Sequence, residues 1–432
     1  LLGTLNRVMI VELSVPAILV AMMVALPVLI APFRALMGFK SDNYRSAIGW
    51  KRIPYLWFGT LWQFGGLAIM PSALLVLGGD VTHDVPFAGE VLAALAFLMT
   101  GLGMHMTQTA GLALAADRAT DETRPRVVAL LYVMFLIGMG LSAIVIGWLL
   151  RDFSGLLLIQ VIQGAAVVTV VLNVVALWRQ ETIRPMSKEE RSAPAPQFAE
   201  AWGDLTKGGT AGRLLFVVFL GTMAFNMQDV LLEPYGGEIL GLSVSATTLL
   251  TAGWAAGALT GFALAAKWLK AGISPYRMAG RGILAGLAAF SAVIFASPMG
   301  SPTLFFAGAI MIGFGGGLFS ISTLTAAMTM PESDGVGKGL ALGAWGAAQA
   351  TAAGLSTLIG GGLRDGVNAS VRTGAWGEAL NDTATGYSVV YHLEIGLLFV
   401  TLVALGPLLS RSRKMKSQQE NSTGLGLADF PT

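Results

Sequence analysis

Between Gly221 and Gly241 the sequence reads GTMAFNMQDVLLEPYGGEILG, which sets Asn226, Gln228, Asp229 and Glu233 in or at the end of an otherwise apolar stretch. Carboxylates of this kind bind protons, cations or basic partners. Placing one at the centre of a bilayer costs about 2.5 to 3.5 kcal/mol on insertion scales, so such groups face a cavity, a ligand or one another. On a continuous helix Asp229 and Glu233, four residues apart, share a face. Near the start of the chain Arg7 and Glu12 offer the same chemistry with a cation added. Together with Glu394 this set has two uses: polar lining of a cavity that binds protons or a solute, or an ion-paired lock in which Arg7 meets Asp229 or Glu233.

Other chemistries find no support. The chain has no cysteine, which excludes disulfides, Cys-ligated zinc or iron-sulfur sites and a Cys nucleophile. Glycine runs such as Gly313-Phe-Gly315-Gly-Gly317 lack a following Lys-Ser/Thr and lie in apolar segments, so close helix packing explains them better than a phosphate loop. No nucleophile-base pair, metal-ligand cluster or dinucleotide fingerprint stands out, and nothing points to nucleic acid; the expectation is a protein that is not an enzyme.

The elements that must hold these groups follow from composition. Hydrophobic residues make up 54% of the 432, charged residues only 12%, and the mean hydropathy is +0.69. A soluble domain carries about 25% charge, so the chain is an all-α polytopic membrane protein. Apolar runs long enough to cross a bilayer fall near 14–36, 53–77, 90–116, 126–150, 155–178, 213–235, 243–270, 275–297, 302–329, 338–363 and 388–410. The halves also repeat. Gly3-Thr4, with Asn6 and Glu12 downstream, resembles Gly221-Thr222, with Asn226 and Glu233 downstream, and Leu149-Leu-Arg-Asp152 resembles Gly362-Leu-Arg-Asp365 at a similar offset. The expectation is a 6+6 helix bundle whose first helix is incomplete in this chain. Residues 1–178 form one six-helix bundle and 213–410 the other, joined by a linker at 179–212 and followed by a tail at 411–432 that is disordered from Gln418. Within the linker, Phe198–Leu205 could form a short amphipathic surface helix. All but four of the 27 Lys and Arg residues (Arg7, Arg151, Arg364 and Arg372) fall in connections on one side. The positive-inside rule places that side, the linker and both termini in the cytoplasm.

The loop between the runs near 14–36 and 53–77 narrows the architecture. Gly38, Asp42 and the pair Lys51-Arg52 form a pattern resembling the loop signature of the major facilitator superfamily. Gly38 lets helices approach, Asp42 can cap a helix or bind a base, and the basic pair holds the loop inside. Arg34, one turn earlier, is expected to extend to the cytoplasmic interface.

Longer phrases carry a closer resemblance. Asn6-Arg7-Val-Met-Ile-Val-Glu12, Ala31-Pro-Phe-Arg34-Ala-Leu-Met-Gly38, Ile53-Pro-Tyr55-Leu-Trp-Phe-Gly59, His105-Met-Thr-Gln108 through Asp117, Arg124-Pro-Arg126 through Tyr132 and Gln228-Asp229-Val-Leu-Leu-Glu233-Pro-Tyr-Gly-Gly237 are similar to the PucC/LhaA family, the bacteriochlorophyll-delivery branch of that superfamily. The resemblance implies an assembly factor for bacterial light-harvesting antenna. Such a factor binds antenna polypeptides or a reaction centre-antenna complex and delivers bacteriochlorophyll, with carotenoid or lipid as further ligands, in the inner or intracytoplasmic membrane of a phototroph. The pigment's magnesium takes an axial imidazole or an amide oxygen. Of the three histidines, His83 and His392 fall at outer positions, and His105 lies inside a span with Gln108 three residues on. His105 is therefore the first candidate ligand, against the plainer reading of a histidine hydrogen-bonded between helices. Trp57 and Trp62, with Trp254 and Trp345, can stack on a macrocycle or simply pack. The other function open to this fold is proton-coupled secondary transport of a small or tetrapyrrole solute around Glu12, Asp229 and Glu233.

Overall fold

A computed structural model describes residues 30–46, 48–77, 87–120, 122–149, 154–181, 197–207, 209–242, 244–330, 337–373 and 384–423, with isolated positions 23, 26, 27, 183, 185, 187, 377, 380 and 382. Arg7, Glu12, His83 and the expected remnant of a first helix lie outside them. The described chain is helical: a 3-10 turn at Ala31–Phe33, then α1 (Arg34–Asp42), α2 (Ile53–Leu77), α3 (Ala88–Arg118), α4 (Arg124–Leu149), α5 (Gly155–Leu177), α6 (Phe198–Thr206) and α7 (Thr210–Asn226). After a second 3-10 turn at Met227–Val230 come α8 (Leu232–Glu238), α9 (Val244–Lys270), α10 (Pro275–Ala296), α11 (Pro302–Met328), α12 (Lys338–Arg372) and α13 (Ala384–Thr423). Seven helical segments among the described residues are long and apolar enough to cross a membrane.

Local chemistry sets several boundaries. Ser154 and Ser301 cap α5 and α11 by accepting from the N–H groups of Leu157 and Leu304, and Pro275 and Pro302 open their helices at the position where a missing N–H costs nothing. The expected span near 14–36 lies largely outside the described residues; the other expected spans agree with the helices to within a few residues, with three differences. The 3-10 turn at Met227–Val230 interrupts the span expected at 213–235, so Asp229 sits in the turn and Glu233 in the helix that follows; they do not occupy one continuous helix face as their spacing implied. The helix α12 runs on past residue 363 through Arg364 and Asp365, polar residues that can continue a helix beyond the hydrocarbon. The tail expected to lose structure at Gln418 is helical to Thr423, in keeping with the good helix formers Lys, Gln and Glu.

The chain forms two compact units. One contains residues 1–120, 130–205 and 330–354, the other 121–129, 206–329 and 355–432. In the first, Leu67, Met70, Leu74, Phe97, Leu158 and Ile162 interlock α2, α3 and α5. In the second, Tyr235 is ringed edge-on and tilted by Phe305, Tyr387 and Tyr391 at centroid distances of 5.3–5.5 Å. Glycines let α9 and α11 touch backbone to backbone: a Cβ at Gly257 would overlap the Ile310 carbonyl, and one at Gly313 that of Trp254. The outward face of α5 exposes Leu156, Val168, Val171, Leu172 and Val175, an aliphatic strip that water penalises and lipid accepts. The linker segment expected to be amphipathic is α6, docked on the first unit by Phe198, whose ring meets Phe39 edge-on at 5.5 Å.

Candidate functional site

Arg34 organises the first unit. It opens α1 yet is only 4% exposed, so it does not extend to an interface as expected for a snorkelling arginine. Its Nε donates to Thr109 Oγ1 of α3 at 3.1 Å and its Nη1 to the Gly346 carbonyl of α12 at 3.4 Å. The guanidinium passes so close to Gly346 that a Cβ there would meet Cζ at 2.5 Å. Around it lies a cavity of about 490 Å³ lined by Arg34, Thr107, Gln108, Leu131, Phe135, Trp345 and Gln349, among others. One wall is aromatic and aliphatic. The other presents a guanidinium, two amides and a hydroxyl, the last accepting from Gln63 Nε2 at 2.8 Å. Such a chamber suits a flat amphipathic molecule with carbonyl or carboxylate groups at one edge.

The expected pigment-binding residues separate. Gln108 faces this cavity. His105, one turn before Thr109, is buried and its Nε2 donates to the Pro27 carbonyl at 2.9 Å, while Nδ1 is enclosed without a hydrogen-bond partner. Trp57 and Trp62 on α2 are both about two-fifths exposed and neither lines the Arg34 cavity. Trp57 instead borders a separate depression of about 450 Å³ with Trp50, Phe58 and Trp178. Gln349 and the inward turn of Arg34 were missed in the sequence, because only tertiary packing brings α12 against α1.

The loop motif assembles at the ends of α1, α2 and α3. Arg52 pairs with Asp42, donates from Nε to Asp117 Oδ2 at 3.0 Å and from Nη1 to Ser41 Oγ at 2.7 Å. Asp42 in turn accepts from the N–H groups of Gly339 and Leu340 at 2.9 and 2.8 Å, capping α12. Gly38 permits this, since a Cβ there would overlap the Gly339 carbonyl. Burial alone would lower the Arg52 pKa, but the Asp42 and Asp117 carboxylates outweigh it and hold the group above its ordinary value. Lys51 stays outside the cluster with its side chain exposed. Its N–H, with those of Arg52 and Ile53, points at the Glu181 carboxylate at 3.0–3.2 Å, so Glu181 caps α2 from the linker. Glu181→Ala is expected to cost about 1 kcal/mol, the usual worth of a helix cap, read as a lower melting temperature in detergent.

In the second unit Gln228 is buried and donates to Asp229 Oδ1 at 2.6 Å and to the Phe225 carbonyl at 3.3 Å. The Glu394 carboxyl of α13 is fully buried, neither of its oxygens has a hydrogen-bond partner among the described residues, and it lies close enough to Asp229, itself exposed, to interact with it electrostatically. Asn226, half-buried, ends α7, and Glu233 lies on α8 with its side chain outside the described residues. Farther along, Arg364 bridges Glu238 at 2.6 Å and the Tyr387 hydroxyl at 2.7 Å.

The family model described as PUCC protein matches residues 4–413. The chain belongs to the PucC family. It is 60% identical to a Rhodobacter capsulatus protein described as an uncharacterized protein in the puhA-bchM intergenic region, over 100% of this chain and 90% of that one. It is 53% identical to Protein PucC of Rhodovulum sulfidophilum, over 84% and 81% of the two chains. Among solved structures it resembles the major facilitator superfamily transporter FucP in its outward conformation, with a TM-score of 0.62 over 90% of this chain and 89% of that one at 15% identity. This PucC family member is thus a polytopic membrane protein with a major-facilitator-like fold.

Proposed function

We propose that this protein is an assembly factor for bacterial light-harvesting antenna that binds antenna polypeptides and delivers bacteriochlorophyll to them, without itself catalysing a reaction. It works in the cytoplasmic or intracytoplasmic membrane of a phototroph, with both termini and the linker inside. Membership of the PucC family supports the general role. The observation that carries the pigment step is the Arg34 cavity, whose divided walls match a tetrapyrrole: Leu131, Phe135 and Trp345 against the ring face, Arg34 and Gln349 toward peripheral carbonyls, and the Gln108 amide oxygen as a ligand for magnesium. The aliphatic strip on α5 gives an antenna helix a surface to pack on.

Purification from a phototroph in mild detergent tests both parts. Bacteriochlorophyll and antenna polypeptides are expected to co-purify. Gln108→Leu, at a half-buried position, is expected to retain the fold and the polypeptides while lowering bound pigment about tenfold, the scale of a lost metal-site contact. A preparation with neither pigment nor antenna polypeptide overturns the proposal.

One observation favours the transporter reading instead. A fully buried Glu394 carboxyl beside Asp229, in a fold shared with transporters, is the arrangement that proton coupling needs. Solute-dependent proton uptake into vesicles, abolished by Glu394→Gln, would establish it.

A further inference from the structure

His392 lies on the first turns of α13, on the side opposite the buried Tyr387, Tyr391 and Glu394 that anchor the helix in the second unit. Its Nδ1 lies 2.7 Å from the Ser388 carbonyl oxygen. A carbonyl can only accept, so in the neutral ring Nδ1 carries the hydrogen and Nε2 keeps the lone pair. This is the arrangement by which a metal-ligating histidine is oriented: one nitrogen tied to the backbone, the other presented. The ring borders a cavity of about 490 Å³ whose apolar walls come from Ile294, Pro298, Leu380 and Val389 and whose polar lining comes from Asp382, Ser297, Thr385 and Ser388.

The class of metal follows from ligand number. Among the described residues no group of three or more His, Asp or Glu side chains can hold an ion, and one imidazole retains a bare cation poorly. A metal whose four equatorial positions are already filled by a macrocycle needs only one more donor. His105 cannot play this part as placed, because its Nε2 is committed to Pro27 and its Nδ1 is enclosed.

We propose that the cavity at the start of α13 docks a metallotetrapyrrole, with His392 Nε2 as the axial ligand and the apolar walls against the ring. The proposal rests on the pigment-handling reading and adds to it a second pigment contact, separate from the Arg34 cavity. The test is a titration of the purified full-length chain in detergent with zinc protoporphyrin and, in parallel, with metal-free protoporphyrin. The zinc complex is expected to show the Soret shift of a five-coordinate metal. His392→Ala, a change at an exposed position, should weaken its binding about tenfold and abolish the shift, and added free imidazole should restore the shift. His105→Phe should leave both unchanged, and the metal-free ring should bind about tenfold more weakly. An unshifted affinity and spectrum in His392→Ala, or equal binding of the metal-free ring, overturns the proposal. If that happens while pigment and antenna polypeptides still co-purify from the phototroph, the assembly role stands and only this site falls.

Discussion

Arg52→Met is expected to destabilise the protein by about 3 to 5 kcal/mol, the cost of removing one partner from a buried ion pair. The Arg52 and Asp42 side chains are 5% and 7% exposed, so Asp42 would keep its two α12 amide donors but lose its counter-charge away from water. The pairs with Asp117, itself 39% exposed, add little after screening. The double variant Arg52→Met with Asp42→Asn should lose less than the sum of the singles, because neither charge is then left alone. Because the folded-state value of Arg52 is raised above its ordinary one, its stabilisation is complete below that ordinary value and is lost only as pH rises beyond the raised one. The wild-type minus Arg52→Met difference in melting temperature should therefore be flat between about pH 6 and 9. A slope across that window, or a loss under about 1 kcal/mol, typical of an exposed pair, would show that the cluster is solvated.

Gly38→Ala should be nearly as damaging although it adds a single methyl group. The new Cβ would occupy the space of the Gly339 carbonyl oxygen, a backbone atom that cannot rotate aside. To admit it, α1 must part from the start of α12, and Asp42 then leaves the N–H groups of Gly339 and Leu340. Overpacking at about 1 to 3 kcal/mol and loss of the cap at about 0.5 to 2 kcal/mol combine to roughly 2 to 5 kcal/mol. Gly111→Ala is the control, since its Cβ meets only a Leu56 methyl at 3.6 Å and the helix gains propensity. Melting in detergent should drop for the first substitution and hold or rise for the second.

Helix positions were legible because twenty-residue apolar runs between polar breaks have one reading in a bilayer. The loop cluster was legible too: Gly38, Asp42 and Arg52 are close in sequence and their chemistry is complementary, though Asp117 and the start of α12 could not be named as partners. What failed depended on distant packing or on local departures from α geometry. Arg34 looked like a snorkelling side chain because its sequence position sits near an interface; Thr109 and Gly346, which turn it inward, are 75 and 312 residues away. Asp229 and Glu233 were placed on one face by a period that a four-residue 3-10 turn breaks. His105 and His392 differ in burial and in which ring nitrogen is tied to which carbonyl, Nε2 to Pro27 on another segment or Nδ1 to Ser388 one turn back. Periodicity contains neither fact.

The capping of α12 by Asp42 also orders events at the ribosome. Acceptor and donors are 297 residues apart, so at a synthesis rate of about 5 to 20 residues per second Asp42 waits roughly 15 to 60 s for the amides it will hold. Until then the close approach that Gly38 permits has no partner helix to fill it. The unit that begins first is therefore closed late.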